Sequence, residues 1–156
     1  MTKNNVTRLL DQLKIKYTAF ELPAEKLGAE KTAELLQVPL ELVYKTIVIK
    51  RDGRGKPILA VVPGTCEVDL KALAKAVEEK KVYLTTQKEA ESMTKLQAGG
   101  ISPLALINRG FQVVIDHSAQ DQDEIHISGG QRGLNLRLNP FDLVKLTAAR
   151  IANICH

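Results

Sequence analysis

Apolar side chains first recur at helical spacing at Val6, Leu9, Leu10 and Leu13, which predicts an amphipathic helix over residues 4–13. A short strand over 15–20 follows, and residues 29–37 return to helical spacing before Pro39, which stops a helix. Residues 43–50 are short and β-branched, and residues 57–63 are almost wholly apolar; the glycine-containing stretch between them predicts a hairpin. Asp69 is placed to cap a helix over 70–79, with Leu70, Leu73, Ala74 and Val77 on one stripe. A strand over 80–86 and a helix over 87–96 come next. Strands are then expected over 111–116, 123–128 and 133–138, the last alternating cleanly. Asn139 and Pro140 open a final helix running to about Ala149.

Strands come mostly in consecutive runs, with helices grouped elsewhere. That order predicts an α+β fold: a mixed, largely antiparallel central sheet with flanking helices. No repeat, low-complexity tract or linker interrupts the 156 residues, so one domain over 1–156 is expected.

Composition narrows the function. No apolar run approaches the ~20 residues of a membrane helix, and the N-terminus is polar, so an intracellular, cytoplasmic protein with no membrane partner is expected. The net charge of +4 permits a polyanionic partner without demanding one. Three tyrosines, three phenylalanines and no tryptophan argue against a stacking platform for single-stranded nucleic acid. Cys66 and Cys155 are the only cysteines and lie far apart, so no disulfide framework is expected. His117, His126 and His156 lack zinc-site spacing, and no phosphate-loop or dinucleotide fingerprint occurs; no metal or cofactor is expected.

Three stretches could carry chemistry. On the strand over 43–50, Val43, Lys45, Ile47 and Ile49 share a face, and Lys45 is its single charge. It is either an edge lysine that reaches for water or an ammonium at a pocket rim. In residues 126–134, Ser128, Gly129, Gly130, Arg132 and Gly133 form either a wide turn or a cradle of backbone amides for an anion, with Arg132 assisting. In residues 99–103, Gly99 and Gly100 widen the accessible dihedrals, while Pro103 stiffens the loop and holds Ser102 extended. That loop is either a connection or the wall of a site where a ligand touches main chain. Asp116–His117 is a weaker candidate base pair, residues 121–124 read as a solvated acidic turn, and Cys66 reads as a small buried residue rather than a nucleophile.

Taken in order and at these separations, "VYKTIVI", "GGISPLA" and "SGGQRGL" resemble the YbaK family, relatives of the editing domain inserted in bacterial prolyl-tRNA synthetases. The similarity runs over nearly the entire chain. It implies a trans-acting aminoacyl-tRNA deacylase that hydrolyses the ester of a small mischarged amino acid, with Cys-tRNA(Pro) as first substrate and Ala-tRNA as an alternative. It also implies the 3′ end of aminoacyl-tRNA as partner, with prolyl-tRNA synthetase as a further one. The family's lysine falls on Lys45, its glycine–proline loop on Gly99, Gly100, Ile101, Ser102 and Pro103, and its serine–glycine–glycine loop on Ser128, Gly129 and Gly130. Lys45, Gly99, Gly100 and Ser128 are thus expected to be catalytic; Phe20, Ile101, Ser102, Pro103, Gly129, Gly130, Arg132 and Asn135 are expected to hold substrate. Two positions depart from the pattern: Phe20 stands where the family usually has tyrosine, and Asn135 where it has aspartate. These departures keep a second class open, a binding module for a nucleotide or aminoacyl-tRNA end without catalysis. For a cysteinyl ester, the resemblance implies that the substrate's own thiol attacks; for other amino acids, water must.

Overall fold

A computed structural model describes residues 2–156. Its helices are α1 (Asn5–Gln12), α2 (Gly28–Leu36), α3 (Leu70–Ala76), α4 (Gln87–Thr94) and α5 (Pro140–Thr147). Its strands are β1 (Tyr17–Glu21), β2 (Tyr44–Arg51), β3 (Ile58–Pro63), β4 (Val82–Leu84), β5 (Gln112–Asp116), β6 (Ile125–Ser128), β7 (Leu134–Leu138) and β8 (Arg150–Ala152). The α+β class and the mainly antiparallel pairing agree with the sequence pattern. The strands divide between two sheets, β4-β2-β3-β5-β8 and β1-β7-β6. Only the β3–β5 and β5–β8 pairs are parallel. A bridge between Val43 and His126 brings the start of β2 alongside β6 and joins the two sheets.

Caps fix several helix starts. Asn4 and Thr7 bond reciprocally around the first turn of α1, and Thr86 and Glu89 do the same for α4. The Asp69 side chain accepts from Ala72 N, and Asn139 accepts from Phe141 N beside Pro140. The α5 helix ends at Thr147 because Ala148 turns left-handed (φ 54°), and the chain runs directly into β8, an edge strand of three residues that carries no alternation of its own.

The five-stranded sheet is covered on both faces. One side of β2, β3 and β5 (Val48, Leu59, Val61, Val113 and Ile115) packs with Ile127, Leu134, Leu136 and Leu138 of the smaller sheet and with α1 and α5. The other side (Ile49, Ile58, Ala60, Val62 and Val114) packs on Leu73, Ala74 and Val77 around α3 and on Ile154. Every residue of β3 is buried, as expected of a central strand with two covered faces.

The cysteines depart from expectation. Cys66 and Cys155 are bonded to each other across 89 residues of sequence, so no free thiol remains. The fold brings them together: Val68 bridges Cys155, and Glu67 and His156 exchange backbone hydrogen bonds of 3.0 and 3.1 Å. Separation along the chain says nothing about a pairing made by the C-terminal segment folding back on the loop after β3. Among the described residues, no helix is long and apolar enough to cross a membrane.

Candidate active site

A pocket of about 230 Å³ opens where β2 meets the smaller sheet. Lys45, Gly99, Ile101, Ser128 and Asn135 line it together, so residues far apart in sequence converge on one cavity. Its remaining wall comes from Glu25, Lys26, Leu27, Gly28, Ala29 and Thr32 around the start of α2, and from Leu22, Val43, Tyr44, Thr46, Ala98, Gly133 and Leu134.

Lys45 projects from β2 on the same side as Ile47 and Ile49, and its side chain retains 25% exposure. Its Nζ lies 3.4 Å from Glu67 Oε1. The Glu67 side chain is 80% exposed, so this pair is weak and leaves the ammonium available to an incoming anion. Lys45 lines the pocket with its ammonium at the rim; along this stretch β2 pairs with β3 alone, since β4 meets only Ile49, Lys50 and Arg51.

The two glycine loops make the opposite wall, and they do so by packing backbone on backbone. A Cβ at Gly100 would lie 2.8 Å from Gln131 Cα and 3.0 Å from Arg132 N. Arg132 Nε donates to Ala98 O at 2.6 Å, and Ser128 Oγ donates to Gly99 O at 3.4 Å. Arg132 is therefore a strut between the loops and does not line the pocket. The reading of 99–103 as a wall where a ligand touches main chain, and of 126–134 as a cradle of free amides, needs correction at several amides. Gly100 N donates to Gln97 O at 2.8 Å, and Gly129 N donates to Leu134 O at 2.8 Å. Gly130 N is taken by Ser128 Oγ at 3.3 Å. Gly99 and Ile101 both line the pocket, and among the described residues neither amide has a protein acceptor. With the Gly133 amide, which also lines the pocket without a protein acceptor among the described residues, and the uncapped start of α2, they are open to a ligand.

Ser102 and Pro103 do not reach the pocket. Ser102 is fully buried, and its Oγ accepts from Leu104 N at 3.2 Å to start a short 3-10 turn over Pro103–Leu106. Their role is to anchor the loop. Phe20 is also absent from the lining. It pairs across β1–β7 with Asn135, its ring tilts against His126 at 5.5 Å between centroids, and Arg137 covers it at 5.4 Å. Asp116 is buried elsewhere; its carboxylate accepts from Ser118 N and Ile154 N and pins the C-terminal segment.

Two features escaped the sequence reading. His126 is buried, and its Nδ1 lies 2.8 Å from Asn135 Oδ1. Burial pushes its pKa below the ordinary imidazole value; the Asn135 bond opposes this and the Arg137 charge adds to it. The imidazole is thereby biased toward its neutral form, and Asn135, which lines the pocket, stands between it and a ligand. The second is α2: its N-terminus has no side-chain cap, and its leading residues Leu27, Gly28 and Ala29 line the pocket. Unfilled amides at a helix start favour an anion. The signal was the absence of Ser, Thr, Asp or Asn ahead of residues 28–36.

Residues 24–146 match the family model described as the aminoacyl-tRNA editing domain. An Enterococcus faecalis protein, EbsC, assigned as a Cys-tRNA(Pro)/Cys-tRNA(Cys) deacylase, is 35% identical over 97% of this chain and 93% of its own. Among solved structures, the hypothetical protein APE2540 superposes with a TM-score of 0.89 at 20% identity, covering 98% of this chain and all of its own (100%). A protein assigned as a trans-editing enzyme for prolyl tRNA synthetase superposes at 0.80 and 22% identity, covering 100% of this chain and 99% of its own. Those two likenesses carry the fold, while the family model and the 35% relative carry the kinship. The chain belongs to the aminoacyl-tRNA editing domain family, in its YbaK branch of deacylases.

Proposed function

We propose that the protein clears cysteine from misacylated proline tRNA, with Lys45, Gly99, Ile101 and Ser128 as the working groups and prolyl-tRNA synthetase supplying tRNA identity. The observation that carries this reading is the convergence of the Lys45 ammonium and the acceptor-free amides of Gly99 and Ile101 on a single small cavity. The terminal adenosine phosphate meets Lys45 and the open start of α2. The ester carbonyl lies along Gly99 and Ile101, whose amides stabilise the oxyanion as it forms, an effect worth about 3–4 kcal/mol per well-placed donor. The Ser128 hydroxyl, bonded to Gly99 O, holds that loop in register. An aminoacyl ester is activated already, so positioning does most of the work. In the cysteinyl case the substrate sulfur attacks its own carbonyl carbon, the ribose oxygen leaves with the thiol proton, and water opens the resulting thiolactone.

The test is ester loss from cysteinyl-, alanyl- and prolyl-tRNA(Pro), with and without prolyl-tRNA synthetase. Hydrolysis of the cysteinyl ester with the prolyl ester spared supports the reading. Alanyl ester loss alone assigns the alanine substrate, and binding with no hydrolysis of any ester assigns a binding module. Lys45→Ala is expected to cut kcat/KM roughly ten- to hundredfold, the value of a charge-assisted contact of about 1.5–3 kcal/mol. Its melting temperature should stay close to that of the parent, and near-normal turnover would remove Lys45 from the site.

A further inference from the structure

A second cavity lies behind the glycine loops. It is an open groove of about 670 Å³ between α1, the residues after α4 and the turn after residue 106. Arg8, Lys95 and Arg109 line it, all exposed, and no acidic side chain does. Among the described residues, none of the three forms an ion pair. Elsewhere on the surface Lys50 and Arg51 are neutralised by Glu89 and Glu79. Three uncompensated cations around one concave surface form a site for a polyanion.

The groove shares its wall with the pocket. Gly130 and Gln131 face the groove, while Ser128 and Gly133 of the same loop face the pocket. Asn4, the cap of α1, donates to Gly129 O at 2.9 Å and Gln131 Oε1 at 3.1 Å, tying the groove's far side to that loop. Lys95 precedes Gly99 by four residues, which span at most about 14 Å even fully extended. A strand that ends in the pocket therefore has the cationic rim within reach of its preceding nucleotides.

We infer that this groove binds the phosphates of the tRNA acceptor strand just upstream of the terminal adenosine. This rests on the tRNA reading above, which supplies the occupant; the charge and the shared wall supply the place. The groove holds the strand while the pocket holds the ester, and Asn4 ties the two walls together.

Binding of uncharged tRNA decides it, measured by fluorescence anisotropy over a salt series for the parent, for the triple variant R8A/K95A/R109A, and for a control triple K71A/K75A/K145A on exposed helix positions away from the groove. The groove variant is expected to bind about tenfold or more weakly at low salt, and the slope of log K against log salt should shrink by about 2, near 0.7 per lost single-strand phosphate contact. The control should retain the parent slope. Equal behaviour of the two triples, or no tRNA binding by the parent at low salt, would overturn the inference. Single variants R8A and R109A each repeat the measurement should the triple fold poorly. A second arm compares cysteinyl-tRNA with a 3′-cysteinyl adenosine ester: the loss in kcat/KM should be larger for the tRNA and lie in KM. A parent that hydrolyses neither ester would sink the proposed activity, while the anisotropy series would still decide the groove.

Discussion

Gly100 shows how a single missing side chain can shape a site without touching ligand. Its amide is bonded to Gln97 O and its Cα lies against Gln131, so its use is to let two loops meet. Gly100→Ala forces backbone against backbone and should cost about 1–3 kcal/mol, seen as a lower melting temperature together with reduced deacylation. Unchanged melting would show that the loops can part freely. His126 is a second case. Its pKa lies below the ordinary 6.5, so in the window between the two values the unfolded chain binds more protons than the folded one. The stability tied to its neutral form is present above that ordinary value and declines as pH falls through the window. Melting temperature should therefore drop on mild acidification, and His126→Gln, which keeps a donor for Asn135, should flatten part of that drop; an unaltered profile would place the effect elsewhere. Lys45 was legible in the sequence because a lone charge on an apolar strand face breaks a period of two. Which amides are free was legible only in part, at Gly99, because a backbone N–H is free or taken only once the surrounding turns are set. That is why Gly100, Gly129 and Gly130 looked like donors and Ile101 did not.

Among elements, the segment after β8 does more than end the chain. Cys155 is bonded to Cys66, and the next residue on each side, His156 and Glu67, exchange backbone hydrogen bonds. Glu67 in turn sits 3.4 Å from Lys45, so the staple holds the loop that borders the pocket rim. Closing a loop of this length is worth about 4–5 kcal/mol in the chain-entropy picture. Reduction should lower the melting temperature by roughly 10–15 °C for a chain of this size, and C66S/C155S should match the reduced protein. A melt indifferent to reductant would show that the bond does not form in solution. Most helices and strands were legible, because caps at Asp69 and Asn139 and the two periods mark them locally. The edge strand β8, the split into two sheets and the cysteine pairing were not. Each depends on which distant segments become neighbours, and the Val43–His126 bridge that joins the sheets has no local signature.

At the scale of the whole molecule, the pocket's size and rigidity set what it can tell apart. A cavity of about 230 Å³ walled by loops that Gly100 and Arg132 hold together has little room to expand, so size acts only as a coarse filter on what it admits. Small side chains are separated weakly by shape, since one methylene is worth only about 1–3 kcal/mol in such a site. Size alone therefore cannot make cysteine the favoured substrate over its near-isostere serine. Chemistry can: a thiol ionises far more readily than a hydroxyl and attacks its own ester, whereas a seryl ester must wait for water. Seryl-tRNA(Pro) should consequently bind with a similar KM yet turn over much more slowly, with kcat carrying the difference. Alkylating the cysteinyl thiol should bring kcat down toward the seryl value. Equal kcat for the seryl and cysteinyl esters would refute attack by the substrate thiol and leave water, aligned against the Gly99 and Ile101 amides, as the nucleophile for every amino acid the pocket admits.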